Sequence, residues 1–280
     1  MYDDLATVKL KSGIELPAIG IGTWMMGEEP DKARDEISAI RRSIELGMSV
    51  VDTAEMYADG QSEQIVGMAL HGIREQAFVV SKVFPWNASK AGTILACEAS
   101  LERLDTDHID LYLLHWRGSH PLEDTIEAFE ALKAQGKIRA WGVSNFDIGD
   151  MQQLLEAGGE NCEVNQILYN LGRRGPEFEL LPMMQDNSIA TMAYSPIEQG
   201  KLVSDPRIIH IAKAYQATPA QICLAFLLER DQVLAIPKTS NVDRVEENFG
   251  AFEIDLSDEH LDELDRIFPP PTQATPLEML

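Results

Sequence analysis

Cysteine is scarce in these 280 residues: Cys97, Cys162 and Cys223 are odd in number and far apart, with no C-x-x-C pair. A disulfide framework is thereby excluded, and reduced, mostly buried thiols are the expected state. The six histidines are scattered and no H-x-x-x-H pair occurs, so metal-ligand spacing is missing and no metal is expected. No apolar run reaches the roughly 18 residues of a membrane-spanning helix, and no basic start with an apolar core opens the chain. The protein is therefore expected in the cytoplasm, off the membrane. Basic residues are outnumbered, 23 against 46 acidic, for a formal charge of −23. Such a field repels phosphate polymers, which argues against nucleic acid or anionic lipid as a partner. Any phosphate ligand has to find a local basic island. Linkers, repeats and low-complexity tracts are absent too, so residues 1–280 are expected to form one domain.

What is present is alternation. Eight short apolar runs read as strands: Ile19 to Gly22, Val50 to Asp52, Phe78 to Lys82, Leu111 to His115, Ile138 to Ser144, Glu163 to Gln166, Ala190 to Tyr194 and Val233 to Ile236. Between them lie amphipathic stretches with helical spacing, such as Ala33, Ile37, Ile40 and Ile44, with Gly47 placed for a left-handed cap. Leu122, Ile126 and Phe129 form another, with Pro121 at the first turn and Gly136 past the end. Asp205-Pro206 and Thr218-Pro219 read as cap-plus-first-residue pairs opening two more helices. Repeated strand–helix units imply a parallel sheet, and eight of them in this length fit a closed (β/α)8 TIM barrel. Ahead of it, Thr7 to Leu16 alternates around Ser12-Gly13 as an N-terminal β-hairpin. After the eighth run come two extra C-terminal helices, near Val242 to Phe249 and from Ser257 onward. Pro269-Pro270-Pro271 then releases a tail, Thr272 to Leu280.

Barrel enzymes work from the C-terminal ends of their strands, and here each apolar run ends in polar side chains. They are Asp52, Lys82, His115, Ser144-Asn145, Asn165-Gln166, Tyr194-Ser195 and Lys238-Thr239, with Tyr57 five residues past Asp52. Singly, each reads as a cap, a rim residue or loop packing. Jointly they make a proton-transfer set. A tyrosine is a poor acid near its ordinary pKa of about 10, and a neighbouring lysine cation lowers that value. An aspartate would hold the lysine, and a histidine would orient a carbonyl. Such an assembly protonates a carbonyl oxygen as hydride reaches the carbon, an acid-catalysed step worth roughly 10² to 10⁴ in rate.

At these residues the chain resembles the aldo-keto reductase superfamily, over essentially its full length. Gly47-Met48-Ser49-Val50-Val51-Asp52-Thr53-Ala54-Glu55-Met56-Tyr57, running on to Glu63 and Gly67, is similar to the family's first signature. Gly136-Lys137-Ile138-Arg139-Ala140-Trp141-Gly142-Val143-Ser144-Asn145-Phe146 is similar to its strand-five segment. Ile236-Pro237-Lys238-Thr239 with Arg244, Glu247 and Asn248 is similar to the closing one. The resemblance implies a catalytic tetrad of Asp52, Tyr57, Lys82 and His115: Tyr57 the general acid, Lys82 and Asp52 tuning it, His115 orienting the carbonyl. It implies NADPH laid across the mouth, which agrees with the lack of a G-x-G-x-x-G fingerprint after Gly20-Ile21-Gly22. Ser144, Asn145 and Gln166 would bind the nicotinamide carboxamide and Tyr194 would stack on the ring, with Gly22, Thr23 and Ser195 in the same cofactor set. Lys238, Thr239 and Arg244 would hold the 2′-phosphate, as the basic island this acidic surface requires, with Glu247 and Asn248 at the adenine. Asp243, beside Arg244, departs from that pattern.

Trp24, Trp86 and Trp116 follow the first, third and fourth runs and suggest an apolar substrate wall. The tail stands where the family's variable C-terminal loop stands; being short, it implies a small, open pocket. The run Asp52 to Gly60, with Leu114-His115-Trp116, is similar to bacterial members that reduce methylglyoxal. The partner so implied is a small carbonyl compound, and a monomer is the expected state. Two other readings compete: an NADPH-binding sensor subunit with little turnover, and a different barrel enzyme using Lys82 as a Schiff base.

Overall fold

The computed structural model describes residues 5–280, so residues 1–4 of the expected domain lie outside the described part. The hairpin comes first: β1 (Thr7–Lys9) pairs antiparallel with β2 (Glu15–Pro17), Val8 opposite Leu16. Eight parallel strands follow: β3 (Ile21–Gly22), β4 (Val50–Asp52), β5 (Phe78–Val83), β6 (Ile109–Leu114), β7 (Ile138–Ser144), β8 (Val164–Leu168), β9 (Ala190–Tyr194) and β10 (Val233–Ile236). They pair in chain order, and parallel bridges Ile19–Ala235 and Gly22–Lys238 bring the first edge against the last. Gly20 N–H donates to Ala235 O at 2.8 Å and Gly22 N–H to Pro237 O at 3.1 Å. These contacts complete the (β/α)8 barrel. Strand limits differ from the apolar runs by one or two residues. His115 falls just past β6, and β8 runs on to Leu168 because Leu168 pairs with Tyr194.

Six helices return the chain between strands: α1 (Ala33–Glu45), α2 (Gln61–Leu70), α3 (Lys90–Leu104), α4 (Leu122–Ala134), α5 (Ile148–Glu156) and α6 (Leu180–Asp186). Two more, α7 (Pro206–Ala214) and α8 (Pro219–Leu228), lie between β9 and β10. The two expected after the last strand are α9 (Val242–Phe249) and α10 (Asp258–Ile267). α9 packs on both α1 and α8, closing the helical ring, while α10 packs beside α7. The local signals act as read. The Asp205 carboxylate accepts from Arg207 N, and Thr218 forms a capping box with Gln221. Gly47 and Gly136 take φ of +92° and +74°, and the next residue's N–H closes back on Ser43 O and on Leu132 O, ending α1 and α4.

Two apolar layers share the strands. Val50, Val80, Leu111, Leu113, Val164 and Met192 fill the lumen, plugged below by Val8, Leu10 and Leu16 of the hairpin. The alternate residues, among them Val51, Val79, Tyr112, Val143 and Ala193, pack outward against Ile40, Val66, Phe129 and Leu154 of the helices. Cys97, Cys162 and Cys223 are free and buried. Among the described residues no helix is long and apolar enough to cross a membrane.

Candidate active site

Alternation also decides what stands at the mouth, because successive side chains of a strand point to opposite faces. The residue two places beyond each lumen residue shares its parity. Asp52 follows Val50, Lys82 follows Val80, His115 follows Leu113, Gln166 follows Val164, Tyr194 follows Met192 and Lys238 follows Ile236. The fold therefore gathers the predicted residues by the same rule that packs the core beneath them.

Lys82 is the hub. Fully buried, it donates from Nζ to both Asp52 oxygens (2.8 and 2.9 Å), to the Thr53 carbonyl (2.8 Å) and to the Tyr57 hydroxyl (3.2 Å). The phenol oxygen thus accepts from the ammonium, leaving its own proton for another acceptor. Gln166 Nε2 donates to Asp52 Oδ1 at 2.7 Å. His115 stands edge-on to Tyr57, ring centres 5.7 Å apart, with its Nδ1 buried and unpartnered among the described residues. An unpaired buried ring nitrogen is uncommon for a histidine with a purely structural role.

The electrostatics refine one expectation. The lysine was expected to lower the Tyr57 pKa, but burial comes first and the Asp52 charge second, and together they hold the phenol well above its ordinary value. Tyr57 therefore keeps its proton at rest, as an acid must. Burial lowers the Lys82 ammonium and raises the Asp52 carboxyl, each opposed by its partner's charge. Burial, then the Lys82 charge, holds His115 well below its ordinary value, so the imidazole is neutral at neutral pH.

Beside this group lie the residues expected at the nicotinamide. Ser144 Oγ donates to Gln166 O (2.9 Å), Asn145 Nδ2 donates to Ser144 Oγ and to His115 O (both 3.1 Å), and Tyr194 OH donates to Asn145 Oδ1 (2.9 Å). Asn145 and Ser195 sit at φ of +58° and +48°, left-handed positions that cost a non-glycine residue about 1–2 kcal/mol. Asn170 Nδ2 restrains the second, donating to Ser195 O (2.9 Å) and to Glu198 (3.0 Å). Lys238 and Arg244 flank the start of α9 with no carboxylate partner among the described residues, and Asp243 makes no ion pair with Arg244. Two unpaired cations at a helix start, on so acidic a protein, fit a phosphate. Thr239 Oγ1 accepts from Asn241 N (3.1 Å), Glu247 is half-buried and Asn248 is buried.

Thr23, expected at the cofactor, is fully buried, and its hydroxyl is spent on Asp52 O (2.9 Å) and Ser62 Oγ (2.7 Å). Its side chain steadies the end of β4. Trp86 and Trp116 meet through Phe84, at 5.5 and 5.1 Å; Trp24 and Trp86 are both exposed, Trp86 the more so. Phe84, which no periodicity flagged, is thus the centre of the aromatic wall. In the mostly exposed tail, Glu278 pairs with Arg173, which also holds Glu198.

The comparisons agree with this geometry. The aldo/keto reductase family model matches residues 18–268. Methylglyoxal reductase YeaE of Escherichia coli (strain K12) is 47% identical over 279 residues, 98% of each chain. Glyoxal reductase of Bacillus subtilis (strain 168) is 34% identical over 264 residues, 93% of this chain and 92% of that one. A Klebsiella pneumoniae aldo-keto reductase solved in complex with NADPH is 48% identical, with a TM-score of 0.96 over 99% of this chain and 100% of that one. On its barrel, its polar mouth and these full-length matches, the chain belongs to the aldo/keto reductase family.

Proposed function

We propose that this chain is an NADPH-dependent reductase of small aldehydes and dicarbonyls, methylglyoxal among them. The observation that carries the reading is a buried ammonium bound at once to a carboxylate and to the oxygen of a phenol that keeps its proton. Ser144, Asn145, Gln166 and Tyr194 would hold the nicotinamide end of the cofactor, and Lys238 and Arg244 its 2′-phosphate. Bound NADPH supplies the hydride that reduces the carbonyl carbon. The chain's own residues manage the oxygen. Neutral His115 orients it, the Phe84–Trp86–Trp116 group lines its approach, and Tyr57 protonates it as its basicity rises. Lys82, already bonded to the phenol oxygen, stabilises the tyrosinate left behind until a solvent proton replaces the one given up. Two relatives named for methylglyoxal and glyoxal support the dicarbonyl choice.

The test follows reduced-nicotinamide absorbance with methylglyoxal, using wild type and Tyr57→Phe. Wild type consumes NADPH, and the variant is slower by roughly 10²- to 10⁴-fold while still binding it. Binding without turnover on several aldehydes would favour the sensor reading instead.

A further inference from the structure

Gln166 lies on β8 and Asp52 on β4, strands that are not neighbours in the sheet, so the 2.7 Å bond between them crosses the lumen just beneath the mouth. Both residues are 2% exposed. The amide nitrogen is fully used, facing Asp52 Oδ1 on one side and Met192 Sδ, its register partner on β9, on the other. No protein group donates to Oε1 among the described residues. We infer that Gln166 is a positioning residue for the acid machinery: its amide N–H clamps the Asp52 carboxylate from across the barrel, while its carbonyl is left to accept from the cofactor's carboxamide. The second half rests on the function proposed above; the clamp does not.

Oδ1 of Asp52 then has two donors, Lys82 and Gln166, and Oδ2 has one. The clamp fixes the carboxylate that in turn fixes the ammonium under Tyr57, so a contact on β8 sets the position of a proton donor beyond β4. The titratable groups bearing on Asp52 are Lys82 from β5 and Tyr57 from the loop after β4, and, through Lys82, His115 after β6 and Glu63 from α2. Of the uncharged side chains among the described residues, Gln166 alone donates to the carboxylate, and it opposes the upward push of burial on Asp52.

The experiment compares Gln166→Met, which keeps length and loses the donor, with Ser144→Ala, whose hydroxyl bonds Gln166 O and Asn145 Nδ2 but not Asp52. Three readouts are taken: NADPH affinity by fluorescence, the pH profile of kcat, and the melting temperature of the cofactor-free protein against pH. Losing one hydrogen bond to a charged group moves the acidic limb of Gln166→Met up by about one pH unit. In cofactor-free protein its melting deficit is full near neutral pH and closes as acid protonates Asp52. Ser144→Ala weakens NADPH binding and moves neither curve. If Gln166→Met behaves like Ser144→Ala, losing affinity with both pH curves unmoved, Gln166 serves the cofactor alone and the inference is overturned. Because the melting curve needs no turnover, it stands or falls apart from the reductase reading. Should Gln166→Met fail to fold, Gln166→Glu carries the same test. A carboxyl facing Asp52 shares one proton with it, so the limb rises further, and an unmoved limb overturns the clamp.

Discussion

Two buried aspartates meet cations at opposite ends of the barrel. At the mouth, Asp52 faces the titratable Lys82, with Gln166 and, through the lysine, the Tyr57 hydroxyl. At the base, Asp110 at the start of β6 faces Arg74 at 2.7 Å and Arg139 at 2.9 Å, and accepts from Val79 N at 2.8 Å. Both carboxylates are almost fully buried, and on burial and ion pairing alone they are equivalent. The difference lies in the partners. An arginine is a permanent cation in a rigid fork, suited to tying β5, β6 and β7 together where the hairpin plugs the barrel. A lysine is a single point charge that burial pushes toward the neutral form and the Asp52 charge holds protonated, and here it is bonded to an acid that opens on the mouth. A buried ion pair is thus weak evidence of function; a protonatable pair touching a third titratable group at a strand's C-terminal end is strong evidence.

The sharpest way to break this contrast is to cut each pair. Lys82→Met removes the ammonium that stabilises tyrosinate and leaves buried Asp52 with no cation, only the Gln166 amide. It should lower kcat by three orders of magnitude or more and cost roughly 3–5 kcal/mol of stability. Asp110→Asn should also destabilise, by about 3 kcal/mol since Arg139 is half-exposed, while kcat per folded molecule stays within twofold. Denaturant midpoints and active-site-normalised kcat decide it. A tenfold fall in kcat for the folded Asp110→Asn protein would erase the distinction.

The two ends also differ in how far they could be read before the fold was known. Strand-end residues sit on local runs whose alternation fixes which way they point, so Asp52, Lys82, His115, Gln166 and Tyr194 were all legible from the chain. Asp110, Arg74 and Arg139 lie on three separate segments with no shared spacing, and only the registers β5–β6 and β6–β7 bring them together. The same limit explains Thr23, whose hydroxyl turns inward to Asp52 O and Ser62, and Phe84, whose ring joins Trp86 and Trp116 across two loops. Contacts between neighbouring strand ends and across the lumen, such as Gln166 to Asp52, carry no sequence periodicity.

A smaller effect separates the ends by pH. His115 titrates well below its ordinary value of about 6.5 in the folded chain, so below that pH the unfolded chain takes up a proton that the folded one refuses. More protons on the unfolded side means stability rises with pH there and falls as the solution is acidified from about 6.5. His115→Gln should flatten that part of the melting curve, and an unchanged slope would mean the imidazole is not held neutral.

The smallest effect tests whether an unpaired cation marks a site as well as a buried pair does. On α9 and its neighbour α1, Arg42 pairs with Glu246 at 2.8 Å and needs no ligand to explain it, whereas Arg244 on the same helix has no acidic partner among the described residues. Without a partner, its removal should cost the fold little, under about 0.5 kcal/mol. Facing a 2′-phosphate it would make charge-assisted bonds, whose loss weakens binding by roughly tenfold. Arg244→Ala should therefore raise the NADPH dissociation constant about tenfold and leave that of NADH, which lacks the phosphate, unchanged. Arg42→Ala should alter neither. Equal weakening for both cofactors would place Arg244 on the shared adenosine or on the helix itself. The basic island would then rest on Lys238 alone, because a phosphate contact has to discriminate between the two cofactors and a scaffold contact does not.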